Sequence, residues 1–234
     1  MTTDALAVGQ SLLTQARARL KEGQQEAAQR LWEAAAQLAE REALPGVRLQ
    51  SLHELAAFDI RSQDFAAARV RLDEALQLAR ATGEDAPVAA VAARLGQVLV
   101  FQGEPHNGVV VMREAQEAWA RLGHEAPQQE LALAVEAVLA RVDEQVAKAT
   151  GRDRVAAWYD RARVRLAAGD QRGALADLER AWPETLDSPR ARGLIGELLV
   201  PLREAAGLDA EPVRTEARSA WEAAGEDARA QRLA

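Results

Sequence analysis

Apolar residues recur along this chain at the 3.6-residue period of an amphipathic helix, in blocks separated by short polar or glycine-bearing breaks. The first block predicts a helix from about Asp4 to Lys21, with Leu12, Ala16, Arg19 and Leu20 on its inner stripe. A second runs from about Gln24 to Glu42 with Ala28, Leu31, Trp32, Ala35 and Leu38 on one face, and Leu44-Pro45-Gly46 breaks it. Further helices are expected over 46–62, 65–81, 86–102 and 105–121, each with its own apolar stripe. Thr82-Gly83 and Gly123 close two of these blocks, as suits glycine in the left-handed cap. No strand-like alternation is evident.

The blocks pair, and the pairs repeat at a spacing of forty residues. Ala28, Ala68 and Gly108 are equivalent; Gly23, Gln63 and Gly103 precede them at a turn; Trp32, Leu72 and Met112, then Ala35, Ala75 and Ala115, follow. A fixed period of this length predicts stacked helix hairpins, each too small to bury its own apolar face. After 126 the register is lost. Residues 127–149 read as one long helix with Leu131, Ala134, Val135, Val138, Val142 and Val146 inward, a cap or spacer, and Thr150-Gly151 is the candidate hinge. The pattern resumes with Trp158, Ala162 and Leu166 before Gly169-Asp170, and Ala174, Leu178 and Ala181 after it. A degenerate last pair spans about 189–206 and 211–224, followed by a short tail helix. The expected organisation is three pairs over 1–126, the spacer over 127–150, and two further pairs with the tail over 151–234.

Composition narrows the function classes. No cysteine is present, which removes disulfides, thiolate catalysis and cysteine-bound zinc, and fits a reducing cytoplasm. Net charge is −7, without the basic excess of a nucleic-acid binder. No apolar run reaches membrane-spanning length, and Met1-Thr2-Thr3-Asp4 lacks the basic start of a secretory signal. His53-Glu54 begins like a zinc-protease helix, but Ala57 stands where the second histidine belongs; His106 and His124 sit on predicted turns. No phosphate-cradling glycine loop or nucleophile elbow occurs. Carboxylate pairs such as Asp73-Glu74 and Asp143-Glu144 read as solvated helix-surface groups with partners four residues away. Neither a catalytic set, a metal site nor a cofactor is expected. The five tryptophans read as core, with Trp182 beside Pro183 the least explained.

The pattern resembles the tetratricopeptide repeat. Leu95-Gly96 with Gly103, Met112 and Ala115 matches it in the third pair, and Leu55-Ala56 with Asp64, Phe65, Ala68, Leu72, Ala75 and Leu76 in the second. Trp158, Ala162, Gly169-Asp170, Ala174, Leu178 and Ala181 match after the spacer. Pro105, Gly108 and Val109 make the third B helix atypical. The forty-residue unit is similar to the long-unit arrays of bacterial regulatory and peptide-sensing proteins. The resemblance implies an all-α, right-handed α-solenoid of antiparallel helix pairs with about eleven or twelve helices.

It also implies a binding groove along the inner faces of the first (A) helices of each pair. Leu13, Arg17 and Lys21 would line it in the first pair, His53 and Arg61 in the second, Gln97 and Phe101 in the third, and Tyr159 and Arg163 after the spacer. Arginine at several levels favours a protein or peptide partner with acidic residues or a free C-terminus. Leu13 stands where chaperone-tail binders need a polar residue, which argues against that ligand. The expected function is a non-enzymatic adaptor holding a protein segment. The alternatives are a peptide- or small-ligand sensor that changes curvature about Gly151, and self-assembly into a homo-oligomer through Leu208, Val213 and Trp221.

Overall fold

The computed structural model describes residues 2–234, and Met1, part of the N-terminal run read above, lies outside them. Among the described residues the chain is all helix and turn. The helices are α1 (Thr2–Lys21), α2 (Gln25–Arg41), α3 (Pro45–Arg61), α4 (Phe65–Thr82), α5 (Asp85–Phe101), α6 (Pro105–Arg121) and α7 (Glu125–Lys148). They continue with α8 (Gly151–Ala167), α9 (Gln171–Ala181), a 3-10 turn (Trp182–Thr185), α10 (Pro189–Ala205), α11 (Glu211–Ala223) and α12 (Asp227–Gln231). The chain forms two compact units, one up to Ala134 and one from Val135 onward, dividing inside α7.

The turns explain the period. Within the pairs, Gly23, Gln63, Gly103 and Gly169 all adopt the left-handed conformation, with φ of 78°, 61°, 81° and 87°. Between pairs, Ala43, Gly83 and Gly123 do the same at φ of 53°, 70° and 71°, again forty residues apart. Gln63 and Ala43 accept a conformation that costs a side chain about 1–2 kcal/mol, because the turn geometry is imposed by the packing on either side. The first inter-pair break therefore falls on Glu42–Leu44, and Pro45 opens α3 instead of ending α2. A proline fits that position because its missing N–H has no intrahelical acceptor there. Asp64 and Asp170 cap α4 and α9 by accepting from the Ala67 and Gly173 amides at 3.0 and 2.8 Å.

Small residues sit where helices approach most closely. Ala28, Ala35, Ala68 and Ala75 are fully buried, with Trp32 and Leu72 filling the space between them. The atypical third pair follows the same logic further. A Cβ on Gly96 would lie 2.9 Å from the Gly108 carbonyl oxygen, and one on Gly108 would lie 2.8 Å from the Gly96 oxygen. Gly108 is thus the small residue that lets α6 close on α5.

The α1 stripe is rotated from the expected one. Leu13 and Ala16 are buried, Leu12 and Leu20 half-buried, and Arg19 is exposed. Gly9 continues the buried line, where a Cβ would meet Val47 of α3 at 3.1 Å. In the second unit Trp182 joins two clusters, packing against Ala181 and Ile195 on one side and Ala217 and Trp221 on the other. Its ring also carries the Arg192 guanidinium at 4.0 Å from its centroid. The last pair is closed by the C-terminal segment, where Ala230 of α12 and Leu233 just after it cluster with Trp221, itself 0% exposed. That corrects one expectation. Val213 and Trp221 are internal to the unit and offer no surface to a second copy; of the three residues suggested for self-assembly, only Leu208 is exposed.

Candidate functional site

In the first unit the A helices α1, α3 and α5 are joined by side chains. Arg17 of α1 donates to Gln50 Oε1 of α3 at 3.2 Å. Arg94 of α5 donates to the His53 carbonyl of α3 at 2.9 Å. These contacts link the three A helices in turn, and Arg94 lies within electrostatic range of both Glu54 and Arg61. The unit that carries them is acidic as a whole, with 13 basic and 18 acidic residues.

Each predicted groove residue has a definite place. Leu13 is 3% exposed and belongs to the core of the first pair, so it lines no surface. The physical reason is the rotation of α1, which puts position 13 at the centre of the buried stripe. Arg17 and Lys21 are exposed, as is Gln97. Arg61 is exposed and lies over the Phe58 ring at 4.3 Å from its centroid. Phe101 is 65% exposed and stacks on Phe65 at 5.1 Å, with an interplanar angle of 11°. It therefore leans back on the preceding pair and keeps one face open. His53 is half-buried. Burial, more than the neighbouring Arg94 charge, lowers its pKa to about 4, and its Nε2 is buried without a hydrogen-bond partner. Tyr159 and Arg163 lie in the second unit, half-buried, with the guanidinium 5.9 Å from the phenol ring centroid.

Sequence reasoning missed Arg94. It follows Ala93, which the helical spacing points toward the groove, and nothing in the periodicity separates the two. In the structure its guanidinium is largely withdrawn from water. Burial holds its pKa below the ordinary arginine value, Glu54 opposes this and Arg61 adds to it. It donates to a backbone carbonyl, and among the described residues no carboxylate closes on it to ion-pair distance. A planar group with five donors, half-desolvated and short of acceptors, is suited to a carboxylate from outside the chain.

The carboxylates read as solvated are also better resolved. Asp73 and Glu144 do pair within their helices, with Arg69 at 3.6 Å and Lys148 at 2.6 Å. Glu74 instead reaches Arg48 of α3, and Asp143 reaches Arg161 and Arg165 of α8 at 2.8 and 3.1 Å. These links tie helices together.

No protein-family model matches the sequence, and no curated protein does. Among solved structures it is similar to BtubC from P. vanneervenii, at 18% identity over 99% of this chain and 82% of that one, TM-score 0.45. It is also similar to a putative Podosopora anserina kinesin light chain with nearly identical TPR-like repeats, at 18% identity over 92% and 95%, TM-score 0.42. A third is the TPR2AB domain of yeast Sti1, solved as a pHSP90 complex, at 14% identity over 97% and 96%, TM-score 0.40. The tetratricopeptide-like character of this chain is a statement about fold, and it stands on the hairpins and turns described above. No helix of the described residues is long and apolar enough to cross a membrane.

Proposed function

We propose that this protein is a non-enzymatic interaction module that holds an acidic peptide or protein segment on the α1–α3–α5 face of its first unit. The observation that carries the reading is Arg94, a half-buried guanidinium that donates to the His53 backbone carbonyl and, among the described residues, has no carboxylate at ion-pair distance. Arg61 adds its charge beside it, and Arg17 and Lys21 of α1 are exposed cations of the same unit, on a chain whose net charge is −7. Charge segregated in this way steers anionic segments and rejects cationic ones. Phe101, with one ring face open, supplies an apolar anchor at the C-terminal end of α5.

The test is a set of fluorescein-labelled peptides of one length and hydrophobicity, with glutamate, glutamine or lysine at alternate positions. The glutamate series should bind, more weakly as salt rises, and should lose affinity in an Arg17→Gln, Arg61→Gln, Arg94→Met variant that keeps its helical circular dichroism. Binding that ignores peptide charge, or survives the triple variant, would refute the assignment.

A further inference from the structure

The second unit contains a half-open cavity of about 540 Å³ between the first turns of α8 and the start of α10. That volume lies within the range of small-molecule sites. Its origin is visible in the sequence. The helices α2 and α6 each have 17 residues, whereas α9 has 11. Pro183, which has no N–H to extend the ladder, converts the end of α9 into the 3-10 turn Trp182–Thr185. The chain then bends away, and the space a full-length B helix would flank is left unfilled. Val155, Tyr159, Leu194 and Ile195 wall the cavity with apolar and aromatic surface.

Its polar lining has one sign. Glu184 and Asp187 are the charged residues on it, and both are acidic. Arg154 holds Glu184 at 3.0 Å. Asp187 has no such partner: among the described residues no cation or hydrogen-bond donor closes on its carboxylate. Asp187 immediately precedes Ser188, the N-cap of α10. An apolar recess whose charged lining residues are both acidic repels a carboxylate ligand and leaves a neutral one indifferent to its edge.

We propose that this cavity binds a small amphipathic amine, an apolar chain or ring that fills the recess and ends in an ammonium group set against Asp187. The site is independent of the cationic face of the first unit and carries the opposite preference. A lysine side chain from a peptide offers the same head group. Its flanking peptide groups would be set against the apolar side chains of Val155, Leu194 and Ile195, which satisfy no hydrogen bond, so the free amine is the better fit.

The probes are 4-phenylbutylamine, 4-phenylbutan-1-ol, 4-phenylbutanoate and Nα-acetyl-lysine amide, titrated calorimetrically into the full chain. The amine should bind about fivefold more tightly than the alcohol, the size expected of one partly solvated ion pair. The carboxylate and the lysine amide should bind more weakly than the alcohol. Asp187→Asn should bring the amine down to the alcohol, and Ala191→Phe, which fills the cavity, should remove both. Ala156→Phe makes the same block from an exposed position on α8, so a folding defect in the Ala191 variant does not decide the matter. The proposal fails if amine and alcohol bind alike, if none of the four binds at millimolar concentration, if the lysine amide matches the amine, or if both filled variants still bind.

Discussion

Asp177 of α9, fully buried, accepts from both ends of the Arg161 guanidinium of α8, Nε to Oδ2 at 2.9 Å and Nη2 to Oδ1 at 2.5 Å. Arg165 adds a third bond to Oδ2 at 2.9 Å, and Asp143 of α7 takes the remaining edge of Arg161 at 2.8 Å. One buried carboxylate thereby fixes two arginines, and through them α7, α8 and α9. Two charges taken out of water are tolerable only when geometry and extra hydrogen bonds compensate, and here the compensation comes from three helices at once.

Replacing Asp177 with Asn should therefore destabilise the second unit strongly, by about 3–5 kcal/mol, the usual cost of stripping one partner from a buried pair. The double change Arg161→Met, Asp177→Leu should recover most of that loss, because it removes the two buried charges together and leaves Arg165 paired with Asp143 at 3.1 Å. Urea titrations of the three proteins, followed by circular dichroism, would check this. An Asp177→Asn midpoint equal to that of the parent chain would mean that the pair contributes nothing.

The repeat was legible because it is written twice over, in the apolar stripes and in the left-handed turns. Both recur at forty residues, so helix ends could be placed to within a residue or two even where Gln63 or Ala43 replaces glycine. What periodicity does not encode is rotation about a helix axis by one residue. Leu12 and Leu13 are both leucine, and only the seating of Gly9 against Val47 decides which of them is core. The same ambiguity hid Arg94 beside Ala93. The Arg161–Asp177 pair was hidden for another reason: sixteen residues separate the partners, and an aspartate on a helix reads as solvated until a second helix is laid over it. The cavity beside Pro183 is likewise a property of three elements, none of which announces it alone.

Gly96 and Gly108 permit a sharper check on close packing. Alanine is the better helix former by about 1 kcal/mol, so a helix considered alone would gain from Gly96→Ala. Here the new methyl would sit 2.6 Å from Met112 Cγ and 2.9 Å from the Gly108 oxygen. The methionine side chain can move, but the α6 backbone cannot do so without opening the pair. A net loss of about 1–3 kcal/mol, the cost of overpacking, is expected as a lower thermal midpoint. A raised midpoint would show that α5 and α6 are free to separate.

His53 gives the first unit a pH dependence of definite sign. Its pKa falls from the ordinary 6.5 to about 4, chiefly through burial and secondarily through Arg94, with a backbone hydrogen bond at Ala90 opposing. The folded protein therefore binds fewer protons at this site than the unfolded chain between those two values. Its contribution is fully present above pH 6.5 and is lost as pH falls toward 4, to a total of about 3 kcal/mol. Carboxylates titrate in the same interval, so the informative quantity is a difference. Stability curves of the parent chain and His53→Gln should converge as the pH is lowered through this window. Parallel curves would show that the imidazole is solvated.

Arg94 can be distinguished from a structural arginine by the direction of a single substitution. A structural arginine is held by acceptors inside the fold, and its removal costs stability. The acceptor recorded for Arg94 is the His53 carbonyl, which lies inside α3, where the helical ladder already supplies a donor. Its charge is desolvated without a carboxylate in ion-pair contact. Arg94→Met keeps the length and apolar volume of the stem and removes that cost, so it should stabilise the first unit by about 1 kcal/mol, as substitutions at binding sites do when function has been kept at the expense of the fold. The same variant should lose affinity for glutamate-rich peptides while retaining whatever affinity Phe101 confers. Measured together, a higher thermal midpoint with weaker acidic-peptide binding identifies a residue kept for its ligand. A lower midpoint would show that the guanidinium serves the fold, and the cationic face would then have to stand on Arg17, Lys21 and Arg61 alone.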